Sequence, residues 1–339
     1  MIRTGEQPLL CIRDLYVEFP LFRRTVHAVN GCSIAVEPGQ IVGLVGESGS
    51  GKSVTALASL GLIAPPGRVR GSIEIDGREV VGRPESALSS LRGGVAAMIF
   101  QNPTTALNPY FTIGRQMTDV IRLHRKPGTV DARAAATRAL DQVGLPDTEA
   151  QLHKYPHQFS GGQLQRVMIA LALACEPRLL IADEPTTALD VTVQAQIIVL
   201  LRELAADTGL SVLFITHDLG VVASLCDRVC VMYAGSVMEE GAVRDMFARP
   251  AHPYTRKLLD TVPRLGTGRH EFVAIPGQVP DLSQPPPGCP FHPRCDIATE
   301  TCRRQQPAPQ RIGSGHLAAC HYPQRALRLV SNGTRGEKP

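Results

Sequence analysis

The chain has 339 residues, 43% of them hydrophobic, the length of two domains or of one large domain with an appendage. That apolar fraction excludes a wholly disordered chain. Lys plus Arg number 35 against 31 Asp plus Glu, a net +4 spread over the whole length. This is too weak a field to argue for nucleic acid or an anionic lipid surface, and no nucleic-acid partner is expected. Lys is scarce beside Arg, so a Lys inside a motif carries weight. No run reaches the roughly 18 uninterrupted apolar residues of a spanning helix. The first residues, 1–7, lack the apolar core of an export signal. The chain is therefore expected in a reducing compartment, where nine cysteines do not make a disulfide framework.

In chain order, residues 9–36 carry short β-rich runs separated by turn residues. Residues 41–45 are a compact apolar run ending in glycines, and 52–62 follow with a helical pattern: strand, glycine loop, helix. Buried-strand runs recur at 95–100, 179–182, 212–215 and 229–232, with helical patterns at 162–175, 192–206 and 219–225 between them. The alternation predicts a mostly parallel sheet covered on both faces. Between 102 and 159 the strand signal disappears, and 113–123 and 130–143 read as amphipathic helices, a helical insertion. Residues 276–309 are dense in Pro and Cys, and 331–339 read as a frayed polar tail. There is no internal repeat.

Gly46-Glu47-Ser48-Gly49-Ser50-Gly51-Lys52-Ser53 matches G-x-x-x-x-G-K-[ST] in the strand-to-helix setting that the motif requires. Its glycines let backbone N–H groups turn toward phosphates, and the helix N-terminus adds partial positive charge. Lys52 is placed to reach the β- and γ-phosphates and the Ser53 hydroxyl to ligate Mg²⁺. Gly46, Ser48, Gly49, Ser50 and Gly51 complete the nucleotide cradle. Leu179–Asp183 and Glu184 form an apolar strand ending in two acids. The carboxyl ends of parallel strands border ligand crevices, so Asp183 is a candidate for the Mg²⁺ shell and Glu184 for polarising an attacking water.

With these motifs in hand, the chain resembles the ATP-binding subunits of ABC transporters. Ser160-Gly161-Gly162-Gln163, after Phe159 and opening a helix, is similar to that family's signature. The resemblance implies an α/β P-loop NTPase, an ABC ATPase core of mixed sheet plus helical subdomain. It places the nucleotide-binding domain at 1–249, with the helical subdomain at about 102–160. It also implies that Ser160, Gly161, Gly162 and Gln163 cap the γ-phosphate held by a partner subunit. Gln101 resembles the glutamine that contacts Mg²⁺ and water, and His217 the histidine that senses the γ-phosphate. Ala188-Leu189-Asp190 resembles the loop that crosses the dimer interface. Phe19 resembles the aromatic residue that stacks on adenine, with Tyr16 and Phe22 close by as alternatives. Glu184, His217, Lys52 and Gln101 are thus the expected catalytic set.

His252-Pro253-Tyr254-Thr255, the proline-rich run and four late cysteines are similar to the C-terminal extension of dipeptide and oligopeptide permease ATP subunits, here 250–330 with a disordered tail at 331–339. Nickel, haem and glutathione importers share this extension. His252 alone reads as a turn and packing residue. Cys289, Cys295, Cys302 and Cys320 are spaced C-x5-C-x6-C-x17-C. Free thiols, structural zinc with help from His292, His316 or His321, and a [4Fe–4S] cluster compete for them. Zinc sites favour tighter C-x2–4-C pairs, whereas four thiolates on a loop-rich wrap suit iron–sulfur, which the subfamily also implies. The cluster is the favoured expectation, as a cross-link for a segment too poor in apolar residues to fold alone.

The expectation is an ATP- and Mg²⁺-dependent motor subunit of a peptide importer, peripheral on the cytoplasmic face of the inner membrane. Its expected companions are a paralogous ATPase subunit, two membrane permeases and an extracytoplasmic binding protein. The rival is a soluble ABC protein of DNA repair, translation or iron–sulfur assembly. Repair members carry a coiled coil or zinc inserts and translation members two ATPase units. This chain has one unit and neither insert.

Overall fold

The structure, a computed structural model, describes residues 7–125, 131–187, 189–262 and 274–333. The chain opens with strands β1 (Leu10–Leu21), β2 (Arg24–Val36) and β3 (Ile41–Val45), then helix α1 (Lys52–Ser59). Strands β4 (Arg68–Ile75) and β5 (Arg78–Glu79), helix α2 (Glu85–Leu91) and strand β6 (Ala96–Ile99) follow. A helical stretch comes next: α3 (Pro103–Ala106), α4 (Ile113–His124), α5 (Ala132–Gln142), α6 (Thr148–Leu152) and α7 (Gly161–Leu173). Strands and helices then alternate as β7 (Leu179–Asp183), α8 (Val191–Thr208), β8 (Ser211–Thr216), α9 (Leu219–Leu225) and β9 (Arg228–Tyr233). Beyond them lie β10 (Ser236–Ala242), α10 (Val243–Ala248), α11 (Pro253–Asp260), α12 (Glu300–Arg304), β11 (Gln310–Gly313), β12 (His316–Ala318) and α13 (Pro323–Gly333). The chain divides into two compact units. One comprises Met1–Cys11, Ala35–Ile41 and Ile73–Ile215, the other Ile12–Ile34, Val42–Ser72 and Thr216–Pro339.

In the first unit, β6, β7 and β8 run parallel, with Ala96 opposite Leu179 and Asp183 opposite Ile215. Every residue of β7 and β8 is buried, so these strands read as continuous apolar runs rather than alternating ones. The region without strand signal is helical as expected. Ile113, Met117 and Ile121 put one apolar stripe of α4 inside, and the Thr112 hydroxyl caps the helix by accepting the Arg115 N–H at 3.3 Å. Asp131 caps α5 in the same way, and the buried alanines 132, 135, 136 and 139 give α5 a smooth face that packs on α4 and α7. Of the expected helix at 130–143, Val130 lies outside the described residues.

In the second unit β3 pairs parallel with β9, and β9, β10, β12 and β11 continue antiparallel. The core here is aromatic. Tyr233, Tyr254 and Phe291 are fully buried and meet at ring-centroid distances of 4.6 to 5.2 Å, with Tyr233 edge-on to Phe291. Glu239 of β10, with a fully buried side chain, ties three segments together. Its carboxylate accepts the backbone N–H groups of Ala251 at 2.6 Å and His252 at 2.9 Å, and His316 Nε2 of β12 lies 2.7 Å away. His252 in turn caps α11, its Nδ1 accepting the Tyr254 N–H at 3.0 Å, with Pro253 in the first turn. The His252–Thr255 motif is thus a buried helix start. The tail expected to fray from 331 is helical through Gly333, and 334–339 lie outside the described residues.

The buried cap carries a pH dependence. Desolvation lowers the His252 pKa to about 4, with the Glu239 carboxylate opposing that shift, whereas an unfolded imidazole titrates near ~6.5. Between those values the unfolded chain binds more protons, so stability held above about pH 6.5 is lost as pH falls toward 4. His252→Asn, which keeps an N-cap acceptor, should flatten the stability-against-pH curve in that window by up to about 1.4 kcal/mol per pH unit. Urea unfolding at several pH values measures it, and parallel curves for the two proteins would refute it.

Candidate nucleotide-binding site

The phosphate loop joins β3 to α1 in the second unit, and close backbone approach dictates its glycines. Gly46 (φ +157°) and Gly51 (φ +102°) occupy left-handed backbone regions. A Cβ at Gly46 would stand 2.1 Å from the Met232 carbonyl oxygen, and one at Gly51 2.4 Å from that of Ala28. The loop is therefore pressed against β2 and the end of β9 at both ends. The Gly235 N–H, in the β9–β10 turn, adds a bond to the Ser50 carbonyl at 2.9 Å. Lys52 is buried, its ammonium donating to the carbonyls of Gly46 at 2.8 Å and Glu47 at 3.0 Å. Ser48, Gly49 and Ser53 are exposed along the rim. Phe19 of β1 is half-buried, its ring within 2.9 Å of where a Cβ on Gly67 would stand. Arg70 lies over Tyr16 and Arg23 over the largely exposed Phe22. His217, in this unit, is exposed just beyond the end of β8.

In the first unit the two acids differ sharply. Asp183 is buried at the end of β7. Glu184, the next residue, takes a positive φ of +47°, an uncommon conformation for a side chain with a Cβ. Its N–H is held by the Ile215 carbonyl at 2.9 Å. Its Oε2 accepts hydrogen bonds from Gln101 Nε2 at 3.0 Å and Thr187 Oγ1 at 2.9 Å. Gln101 and Glu184, 83 positions apart in the chain, are thus in direct contact. Ser160 and Gln163 form a reciprocal cap on α7: Ser160 Oγ accepts the Gln163 N–H at 3.4 Å and Gln163 Oε1 the Ser160 N–H at 3.1 Å. Gly162 is small for a packing reason, since a Cβ there would come within 2.7 Å of Val193 in α8. Asp190 caps α8 by accepting the Val193 N–H at 2.9 Å, and Ala188 lies outside the described residues.

The sequence reading missed the partners of Glu47. Its N–H donates to Tyr254 Oη at 2.9 Å, and its carboxylate takes a two-pronged bond from Arg294 at 2.6 and 3.0 Å. Nothing local signals these contacts, because Tyr254 and Arg294 lie 207 and 247 positions downstream.

The iron–sulfur expectation for Cys289, Cys295, Cys302 and Cys320, with zinc as its alternative, is corrected. Among the described residues no group of three or more His, Cys, Asp or Glu is placed to hold a metal ion. The thiols serve packing instead. Cys289 and Cys302 belong to the core built on Tyr233, Tyr254 and Phe291, and the Cys289 N–H donates to the Cys302 carbonyl at 2.8 Å. Cys320 Sγ accepts the Tyr322 N–H at 3.4 Å. Burial pushes the Cys289 thiol up to about 11 and Cys320 up to about 12, and raises Cys295 as well, the behaviour of thiols packed among apolar groups. The segment expected to need a cross-link packs into the apolar core that it shares with β3, α9, β9 and β10.

Known proteins complete the assignment. Residues 29–187 match the family described as ABC transporter, and residues 238–302 the oligopeptide/dipeptide transporter C-terminal region. The chain is 49% identical to the oligopeptide transport ATP-binding protein OppD of Salmonella typhimurium over 94% of this chain and 95% of that one. It is 46% identical to the dipeptide transport ATP-binding protein DppD of Escherichia coli over 93% and 97%. The solved dimeric ATP-binding cassette MJ0796, in a post-hydrolysis state with ADP and phosphate, superposes with a TM-score of 0.62 at 27% identity. That match covers 69% of this chain and 99% of the cassette. With its phosphate loop, acid-ended strand and capped signature helix, the chain belongs to the ABC transporter family, among the D-type ATP-binding subunits of oligopeptide and dipeptide transporters.

Proposed function

We propose that this chain hydrolyses ATP to power import of di- or oligopeptides. It works at the cytoplasmic face of the membrane beside two permease subunits, an extracytoplasmic binding protein and a second, paralogous ATP subunit. The near full-length likeness to peptide-transport ATP-binding proteins carries this reading. No helix among the described residues is long and apolar enough to cross a membrane, in keeping with separate permease chains. We assign residues 1–249 to the ATPase domain, with its helical subdomain at about 102–160, and residues 250–330 to the extension.

The candidate donors of each unit are of the type a hard cation prefers: the Ser53 hydroxyl in the second, and the Gln101 amide oxygen and Asp183 carboxylate in the first, would be oxygen ligands for Mg²⁺. When bound, Mg²⁺ neutralises charge on the β- and γ-phosphate oxygens. The fit of the loop to phosphate rests on its backbone, which Gly46 and Gly51 let lie directly against the Met232 and Ala28 carbonyls. Lys52, buried at the start of α1 and steadied by the Gly46 and Glu47 carbonyls, presents its ammonium to phosphate oxygens. Glu184 accepts a hydrogen bond from the attacking water and polarises it, its carboxylate oriented by Gln101 and Thr187. His217 adds a donor to the charge that develops on the γ-phosphate. Phe19 stacks on the base. Ser160, Gly161, Gly162 and Gln163 cap the nucleotide of the partner subunit, and Asp190 crosses to it.

Two substitutions separate binding from turnover. Glu184→Gln in the assembled transporter should retain ATP binding and lower hydrolysis at least about a hundredfold. Steady-state phosphate release measures this, and near-normal turnover removes Glu184 from its role. Lys52→Ala should weaken ATP binding itself by about tenfold or more, seen by nucleotide titration of the full chain. Unchanged affinity would place Lys52 outside the site.

A further inference from the structure

We propose that Arg294, in the Cys- and Pro-rich C-terminal segment, is a positioning residue for nucleotide binding that acts through Glu47 of the phosphate loop. The inference rests on the reading of Gly46–Ser53 as the nucleotide loop. A carboxylate in the second position of a loop that holds a polyphosphate opposes its ligand unless it is neutralised. Here the neutralising group is built in. Arg294 Nη1 meets Glu47 Oε2 at 2.6 Å and Nη2 meets Oε1 at 3.0 Å, the forked geometry of an arginine–carboxylate pair. The arginine side chain is 4% exposed and that of Glu47 25%.

The remaining donors of the guanidinium are committed as well. Nε donates to the Pro276 carbonyl at 2.9 Å, Nη2 to that of Ile275 at 3.1 Å and Nη1 to Tyr233 Oη at 3.2 Å. A group held on every side fixes the carboxylate it grips. The backbone of Glu47 is fixed from the same quarter, its N–H donating to Tyr254 Oη at 2.9 Å. The Glu47 carbonyl, one of the two that hold the Lys52 ammonium, therefore sits where Arg294 and Tyr254 place it. A chain of direct contacts thus runs from Arg294 through Glu47 to Lys52. The C-terminal segment reaches the phosphate-binding lysine in two steps, both within the second unit.

The test uses the full-length chain with ATP as the probe, and the assembled transporter for turnover. Arg294→Met exposes the loop carboxylate without its counter-charge, so ATP should bind about tenfold more weakly. The loss should fall more on the KM for ATP than on kcat, as expected of a residue that acts on binding through Glu47. Adding Glu47→Gln to Arg294→Met removes the uncompensated charge and should recover most of the lost affinity. A purely structural staple would not be repaired by that second change. Arg294→Lys, which keeps the charge but loses the fork, should bind about threefold more weakly and carries the test if Arg294→Met does not fold. Wild-type ATP affinity in the single variants, or a double variant no tighter than Arg294→Met, overturns the inference. A wild-type chain that binds no ATP would overturn the nucleotide-loop reading itself, and the two failures are told apart by that control.

Discussion

The constraint on which the rest depends is how little room the backbone leaves at the two ends of the phosphate loop. At Gly46 and Gly51 the neighbouring carbonyls of Met232 and Ala28 occupy the volume a side chain would need. This closeness fixes the path of the loop into α1, whose first residue, Lys52, is buried. The β9–β10 turn, through Gly235, and the aromatic core below it exist in register with that loop. Sterics here act before electrostatics: the loop is shaped by what cannot fit between its glycines and the Met232 and Ala28 carbonyls.

In the first unit, polar side chains of the candidate site are held by one another. Glu184 takes an unfavoured backbone conformation, and Gln101 and Thr187 grip its carboxylate. Ser160 and Gln163 cap each other at the start of α7, so the orientation of the signature turn is set by local bonds. Such preorganised groups do not have to be ordered during the reaction, and that is where much of an enzyme's advantage over water resides.

The legible part of the sequence was the part where local pattern and tertiary role coincide. The run at Ile41–Val45 and the acid-ended run at Leu179–Asp183 are strands because apolar β-rich stretches of that length have few other solutions when buried on both faces. The phosphate loop was readable because its chemistry demands fixed spacing. The C-terminal segment was not. Its fold rests on the Tyr233–Tyr254–Phe291 cluster and on Glu239, whose partners at Ala251, His252 and His316 are scattered along the chain. Four cysteines drew attention toward a metal, whereas the decisive contacts, those of Tyr254 and Arg294 with Glu47, join residues 207 and 247 positions apart. Likewise the contact of Gln101 with Glu184 is a product of strand order, which no window of sequence contains.

The buried carboxylate of Glu239 bears on what this chain can lose. Two of its three partners come from the approach to α11 and the third from β12, so the strand it sits on is finished only by residues that arrive much later. Cutting the chain after α10 would strand that acid: a carboxylate shut away from water and stripped of its donors is costly for the strand that carries it.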